Sequence, residues 1–301
     1  MSITQDIRAA FGRRDNALIQ LILLNCLVFV VLIVLQAILF ISSATPIYLT
    51  VLKQFELSSD LGVLARHPWT VLTYAFTHTG FLHIIFNMLN MYWFGQLIRE
   101  YLGNRRLVSL YILGALAGAL IFLLCYNLLP VFQGRLGVPM IGASASVIAI
   151  VVAGATLLPD YTFMLILLGP VKIKWIAAVV VLLSVAGISG GNPGGALAHL
   201  GGALLGYVFI KQLQAGRDLG RPVQAVGDWF ARLLHPPTMR ASTSNRRAEP
   251  ARTTAGAARK DAAPSQPLPE EVDLILDKIS RSGYESLSKD EKQKLFRASQ
   301  E

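Results

Sequence analysis

An all-α membrane protein is the fold class this sequence predicts: a bundle of six transmembrane helices, a structured first loop and a small C-terminal helical hairpin. Three observations carry that reading. Hydrophobic residues make up 53% of the 301 and charged residues 15%, with a mean hydropathy of +0.52, a balance that suits a polytopic membrane chain better than a soluble globule. Apolar runs long enough for a bilayer recur between residues 17 and 213, and a more polar tail follows. Positive charge sorts by side of the membrane. One side receives Arg8, Arg13, Arg14, Arg99, Arg105, Arg106, Lys172, Lys174, Lys211, Arg217 and Arg221, and the other Lys53, Arg66 and Arg135. Eleven against three places both termini in the cytoplasm, and six spans are consistent with both ends on one side. The net charge of +9 is explained by this topology, so no nucleic-acid partner is expected.

The first span covers Ala17 to about Ile41. It is longer than a signal peptide's apolar core, and no small-residue cleavage site follows it. Ser42 to Gly80 mixes Lys53, Glu56, Asp60 and Arg66 with apolar pairs and Trp69, and reads as a loop of short amphipathic pieces in the interface. The second span runs from about Phe81 to Ile98, and the third from Leu107 to Leu129, where Pro130 stops it. The fourth extends from Ile141 to Leu158, before Pro159-Asp160. Tyr161 to Pro170 is apolar but too short to cross. Lys172 and Lys174 separate it from a fifth span that starts at Val171 or Trp175 and ends at Gly187. A flexible Gly-rich loop follows to Gly195, and the sixth span covers Ala196 to Gln212.

The organisation is therefore an N-terminus of residues 1–16, a membrane domain of 17–213, an amphipathic juxtamembrane segment of 214–237 and a disordered linker of 238–269. Residues 270–301 form the hairpin, with Ser288-Lys289-Asp290-Glu291 as a capping box opening its second helix. Cys26 and Cys125 lie in apolar runs without metal-ligand spacing. They read as small buried hydrophobes, and no metal or cofactor is expected.

Spans two, four and six cross in the same direction, so their first turns lie at one membrane depth. His83 and Asn87 fall near the start of span two, Ser144 near the start of four, and His199 near the start of six. Polar groups are costly in lipid unless they face the protein interior and find partners. His83 and Asn87, four apart, share a helical face. Below His199, Gly202 and Gly206 form a stripe that lets another helix approach closely. A serine at this depth most often bonds back to its own helix, but one beside a neutral imidazole is a candidate nucleophile. Ser146 competes for that role on the same small-residue stretch. No acidic residue occurs between Glu100 and Asp160 or between Asp160 and Asp218. The paired membrane aspartates of an aspartyl mechanism and a His-Glu-x-x-His zinc site are absent, and no carboxylate lies near His199 in sequence to complete a Ser-His-Asp triad, so a serine enzyme here is a Ser–His dyad. A transporter with a midplane site fits poorly, because the polar groups cluster near one surface.

The run His78-Thr79-Gly80-Phe81-Leu82-His83-Ile84-Ile85-Phe86-Asn87, the stretch Gly142-Ala143-Ser144-Ala145, and Ala198-His199-x-x-Gly202-x-x-x-Gly206 resemble the rhomboid family of intramembrane serine proteases over about residues 65 to 213. The resemblance implies a rhomboid-like bundle that cleaves transmembrane segments of single-span or multi-span membrane proteins in the bilayer. Ser144 is then the nucleophile, His199 the general base, and His83, Asn87 and the Ser144 backbone N–H the oxyanion stabilisers. His78 is left a structural hydrogen bond. The alternative is a catalytically silent relative that binds membrane helices without cutting them. The expected location is a bacterial plasma membrane. The chain departs from the family pattern at Ile148, where an aromatic often lies beneath the histidine, at Trp69-Thr70 in the first loop, and at Gly95-x-x-x-Arg99-x-x-x-Gly103, with Glu100 one place late.

Overall fold

The computed structural model describes residues 16–165, 169–234, 269–282 and 286–298. The arginines before Asn16, His235 and all of the 238–269 linker but Pro269 lie outside the described residues. The chain divides into two units, Met1–Thr238 and Met239–Glu301.

In the first unit, α1 (Ala17–Ile41) is followed by the first loop, which holds α2 (Thr45–Leu52), β1 (Leu57–Ser58), α3 (Leu61–Arg66), α4 (Thr70–Thr73) and a 3-10 turn at Tyr74–Phe76. Then come α5 (Phe81–Leu102), α6 (Asn104–Leu128), β2 (Pro139–Met140), α7 (Ser144–Leu157), β3 (Thr162–Leu165), β4 (Gly169–Lys172), α8 (Ile173–Gly187), α9 (Pro193–Gln214) and α10 (Arg221–Leu234). Helices α1, α6 and α9 are long and apolar enough to cross a membrane, and α7 and α8 are shorter apolar helices. At 14 residues α7 spans only about 21 Å. It sits at the centre of the bundle, packed against α5, α6, α8 and α9, with most of its residues buried. A helix enclosed by others has no lipid to match in thickness, so its brevity costs little.

Close approach around α7 depends on missing side chains. A Cβ on Gly202 would strike the backbone carbonyl of Ala145, and one on Gly206 that of Ala149. From the other side, a Cβ on Gly114 or Gly118 of α6 would crowd the Cβ atoms of Ala149 and Ala145, at 2.8 and 2.6 Å. Some interior polar groups find their partners between elements. Asn25 of α1 donates to the Tyr111 hydroxyl at 3.0 Å, and that hydroxyl donates to the carbonyl of Ala75 at 2.7 Å.

The first loop is ordered, as its mixed composition suggests, and it is tied to the segment that leads into α7. Leu57 and Ser58 pair with Met140 and Pro139 in an antiparallel ladder. Ser59 Oγ accepts from the N–H of Val138, and Asn127 donates to the carbonyl of Ser59. Two expectations change here. Span four begins as helix at Ser144, not Ile141, because Gly142 sits at φ +116° and breaks the helix ahead of it. The stretch from Tyr161 to Pro170 enters a strand pair, Thr162↔Lys172 to Leu165↔Gly169. Its run of apolar residues lacks the alternation that announces a strand.

Near its middle α10 meets α6 through Arg105 and Asp228, 3.0 Å apart, and it leaves Val226, Trp229, Phe230 and Leu233 exposed along one stripe. The second unit contains α11 (Pro269–Ser282) and α12 (Lys289–Ala298). The Ser288 N–H donates to Glu291, the Glu291 N–H donates to Ser288 Oγ, and Lys278 of α11 reaches Glu291 at 2.9 Å. This is the reciprocal cap of a helix start.

Candidate active site

Ser144 is the first residue of α7. The turn before it is held from two directions. The Gly142 N–H donates to the carbonyl of Tyr74 at 2.9 Å, and the Ala143 N–H donates to His78 Nε2 at 3.2 Å. Tyr74 is itself anchored, its hydroxyl donating to Ala115 of α6 at 2.7 Å. His78 thus supports the turn, a structural part like the one expected of it. At the start of a helix the first N–H groups have no carbonyl of the same helix to bind, so the backbone around Ser144 presents donors where its side chain stands.

His199 comes from the second turn of α9, and its Nε2 lies 2.8 Å from Ser144 Oγ. The glycine stripe makes that approach possible, since Gly202 and Gly206 bring the α9 backbone onto the α7 backbone just below. His83 leans across Gly142, where a Cβ would be only 2.5 Å from its ring. That contact and the positive φ together require glycine at 142. Asn87 follows one turn below His83 and donates one amide proton to the His83 carbonyl at 2.9 Å. Its second amide proton is geometrically independent of that bond.

Ser144, His83 and Asn87 line one cavity of about 350 Å³, with Leu82, Phe86 and Val147 among its walls. His199 lines a neighbouring cavity of about 380 Å³ with Ile148, Ser184 and Asn192. The serine–histidine contact bridges the two. Ser146 is directed elsewhere. It is fully buried, and its hydroxyl donates to the carbonyl of Tyr111 at 2.7 Å. Among the described residues no group of three or more His, Cys, Asp or Glu is placed to hold a metal.

Sequence reasoning missed Ser184. It lies on α8, where the only signal is one hydroxyl in an apolar run, and its Oγ stands 3.4 Å from His199 Nδ1.

Residues 65–214 match the Rhomboid domain. The chain belongs to the rhomboid family. This rhomboid is 31% identical over 158 residues to RHOMBOID-like protein 12, mitochondrial, of Arabidopsis thaliana (49% of this chain, 47% of the relative). It is 31% identical over 175 residues to Rhomboid protein 1, mitochondrial, of Saccharomyces cerevisiae (54% and 47%), and 29% identical over 160 residues to Rhomboid-like protein 16, chloroplastic, of Arabidopsis thaliana (49% and 50%). The chain spans about half the length of these curated relatives. Residues 269–301 match a separate family of unknown function, DUF6576.

The names of the relatives correct one expectation. They are mitochondrial and chloroplastic proteins, which overturns the placement in a bacterial plasma membrane and, with it, the cytoplasm as the side of both termini. The physical reason is simple. An excess of Lys and Arg distinguishes the two faces of a bilayer but carries no information about which bilayer it is.

Proposed function

We propose that this rhomboid is a serine endopeptidase of an organellar membrane that cleaves transmembrane segments of single-span or multi-span proteins, with α1, α5, α6, α7, α8 and α9 as its six spans. The observation that carries the reading is the 2.8 Å contact between Ser144 Oγ and His199 Nε2, opening on a cavity that also holds Asn87 and His83.

In this mechanism neutral His199 takes the Ser144 proton as Oγ attacks the scissile carbonyl. The negative oxygen of the tetrahedral intermediate is met by the Ser144 backbone N–H, the remaining Asn87 amide proton and His83. His199 then gives its proton to the leaving amine as the carbon–nitrogen bond breaks. Water, activated by the same imidazole, hydrolyses the acyl-enzyme and frees Ser144. The Gly202 and Gly206 stripe holds the two helices in register for these transfers.

The experiment is reconstitution of the full-length chain in phospholipid vesicles with a panel of single-span substrates. Cleavage by wild type and none by Ser144→Ala is expected. Equal cleavage by both proteins contradicts the reading. Binding of the substrates by folded wild type without any cleavage replaces it with the silent, helix-binding alternative.

A further inference from the structure

A histidine base needs its second nitrogen held, because that contact decides which nitrogen carries the proton. In a triad a carboxylate does this, and this membrane domain has no acidic residue between Asp160 and Asp218 in sequence. Ile148, four residues after Ser144, lines both cavities beside the dyad and offers the imidazole no polar atom. The polar side chain at His199 Nδ1 is Ser184, at 3.4 Å.

The direction of that contact follows from counting protons. Ser184 is 6% exposed, and its hydroxyl donates to the carbonyl of Val180, one turn back on α8, at 2.8 Å. A hydroxyl has one proton and two lone pairs. With the proton committed to Val180, the oxygen turns a lone pair toward Nδ1. A lone pair there favours the tautomer with hydrogen on Nδ1 and none on Nε2. The bare Nε2 then faces Ser144 Oγ at 2.8 Å, as a general base requires. The spacing at Nδ1 is long for a neutral hydrogen bond. Charge-assisted bonds are shorter and stronger, so it is expected to tighten when the imidazolium forms.

We propose that Ser184 is a positioning residue that sets the tautomer and orientation of His199, taking the place of a triad carboxylate with a neutral acceptor supplied by α8. The proposal rests on the protease reading for its consequence in catalysis, but the tautomer it assigns does not depend on activity.

The test uses the full-length chain in phospholipid vesicles as wild type, Ser184→Ala and Ser184→Thr, with two readouts. The first is kinetics on a cleavable single-span substrate across pH. Ser184→Ala is expected to lower kcat roughly ten- to a hundred-fold, part of the contribution of a well-placed general base, with KM within about two-fold, while Ser184→Thr, which keeps the hydroxyl, recovers most of the loss. The second is ¹⁵N NMR of ring-labelled histidine, with His199 assigned by difference from His199→Ala. Wild type and Ser184→Thr are expected to show protonated Nδ1 and bare Nε2, and Ser184→Ala a mixture of tautomers. An unchanged tautomer and an unchanged pH profile in Ser184→Ala overturn the proposal and leave the protease reading intact. A wild type that never cleaves removes the catalytic consequence, and the NMR readout still decides whether Ser184 sets the tautomer.

Discussion

His199 Nε2 lies 2.8 Å from Ser144 Oγ across 55 positions of sequence, on two helices whose backbones meet at Gly202 and Gly206. The contact is built by packing: small residues on α9 and the pinned turn before α7 bring two polar groups together in an apolar interior. Each part of that arrangement can be perturbed separately.

Ser146 tests whether the neighbouring hydroxyl matters to chemistry. Its proton goes to Tyr111 and it is fully buried. Ser146→Ala should cost about 1 kcal/mol of stability, the usual net value of one hydrogen bond, and leave kcat within a few-fold. Thermal unfolding and steady-state kinetics on the same preparation check this. Loss of activity without loss of fold would move the nucleophile two places along the helix.

Asn87 tests the oxyanion site. One of its amide protons is committed to the His83 carbonyl, and the other is assigned to the developing negative charge. Asn87→Ala should lower kcat by about 10²–10³-fold, the range for a single oxyanion donor, with KM little changed. A variant whose turnover equals wild type would leave Asn87 as a structural amide that only bonds back to its own helix.

Gly202 tests the packing. Its Cβ position is occupied by the Ala145 backbone carbonyl, and a main-chain atom of a central helix yields far less readily than a side chain. Gly202→Val should destabilise the domain by at least the 1–3 kcal/mol typical of overpacking and reduce activity by displacing His199 from Ser144. A lowered unfolding temperature together with lost turnover is the expected pair of results. Full activity in Gly202→Val would contradict the close approach of α7 and α9.

Asp160 provides the pH prediction. Hydrogen bonds from Lys174 and then Lys172 hold its carboxyl at about 2, below the ordinary aspartate value. A folded pKa below the unfolded one means that the contribution is present above about pH 4 and lost as pH falls toward 2. The cluster is solvent-exposed, so its effect on stability is small. Asp160→Asn should change neither unfolding temperature nor turnover measurably at neutral pH, and titration of the Asp160 carboxyl followed by NMR should show its midpoint near 2.

The site residues legible in the sequence share one property: each belongs to a short run whose spacing has a mechanical reason. His83 and Asn87 are one turn apart, and His199 stands three and seven residues before its packing glycines. Ser184 and Tyr74 carry no such mark. Their partners come from elements distant in sequence, so a single hydroxyl in an apolar run looks the same whether it faces lipid or an imidazole. The fold shows the same division. Long apolar helices such as α1 and α6 are read directly from composition, while the β3–β4 pair is hidden because its first strand continues an apolar run without alternation. Where α7 begins is set by the turn at Gly142, a backbone event that hydropathy does not register.

The most direct test of the central claim is covalent labelling of the reconstituted full-length chain with a fluorophosphonate, read by peptide mass spectrometry beside substrate cleavage. One stoichiometric adduct on Ser144 is expected, with loss of cleavage in proportion to labelling, and neither labelling nor cleavage in His199→Ala. An adduct on Ser146, or a folded wild-type protein that neither labels nor cleaves, would contradict it.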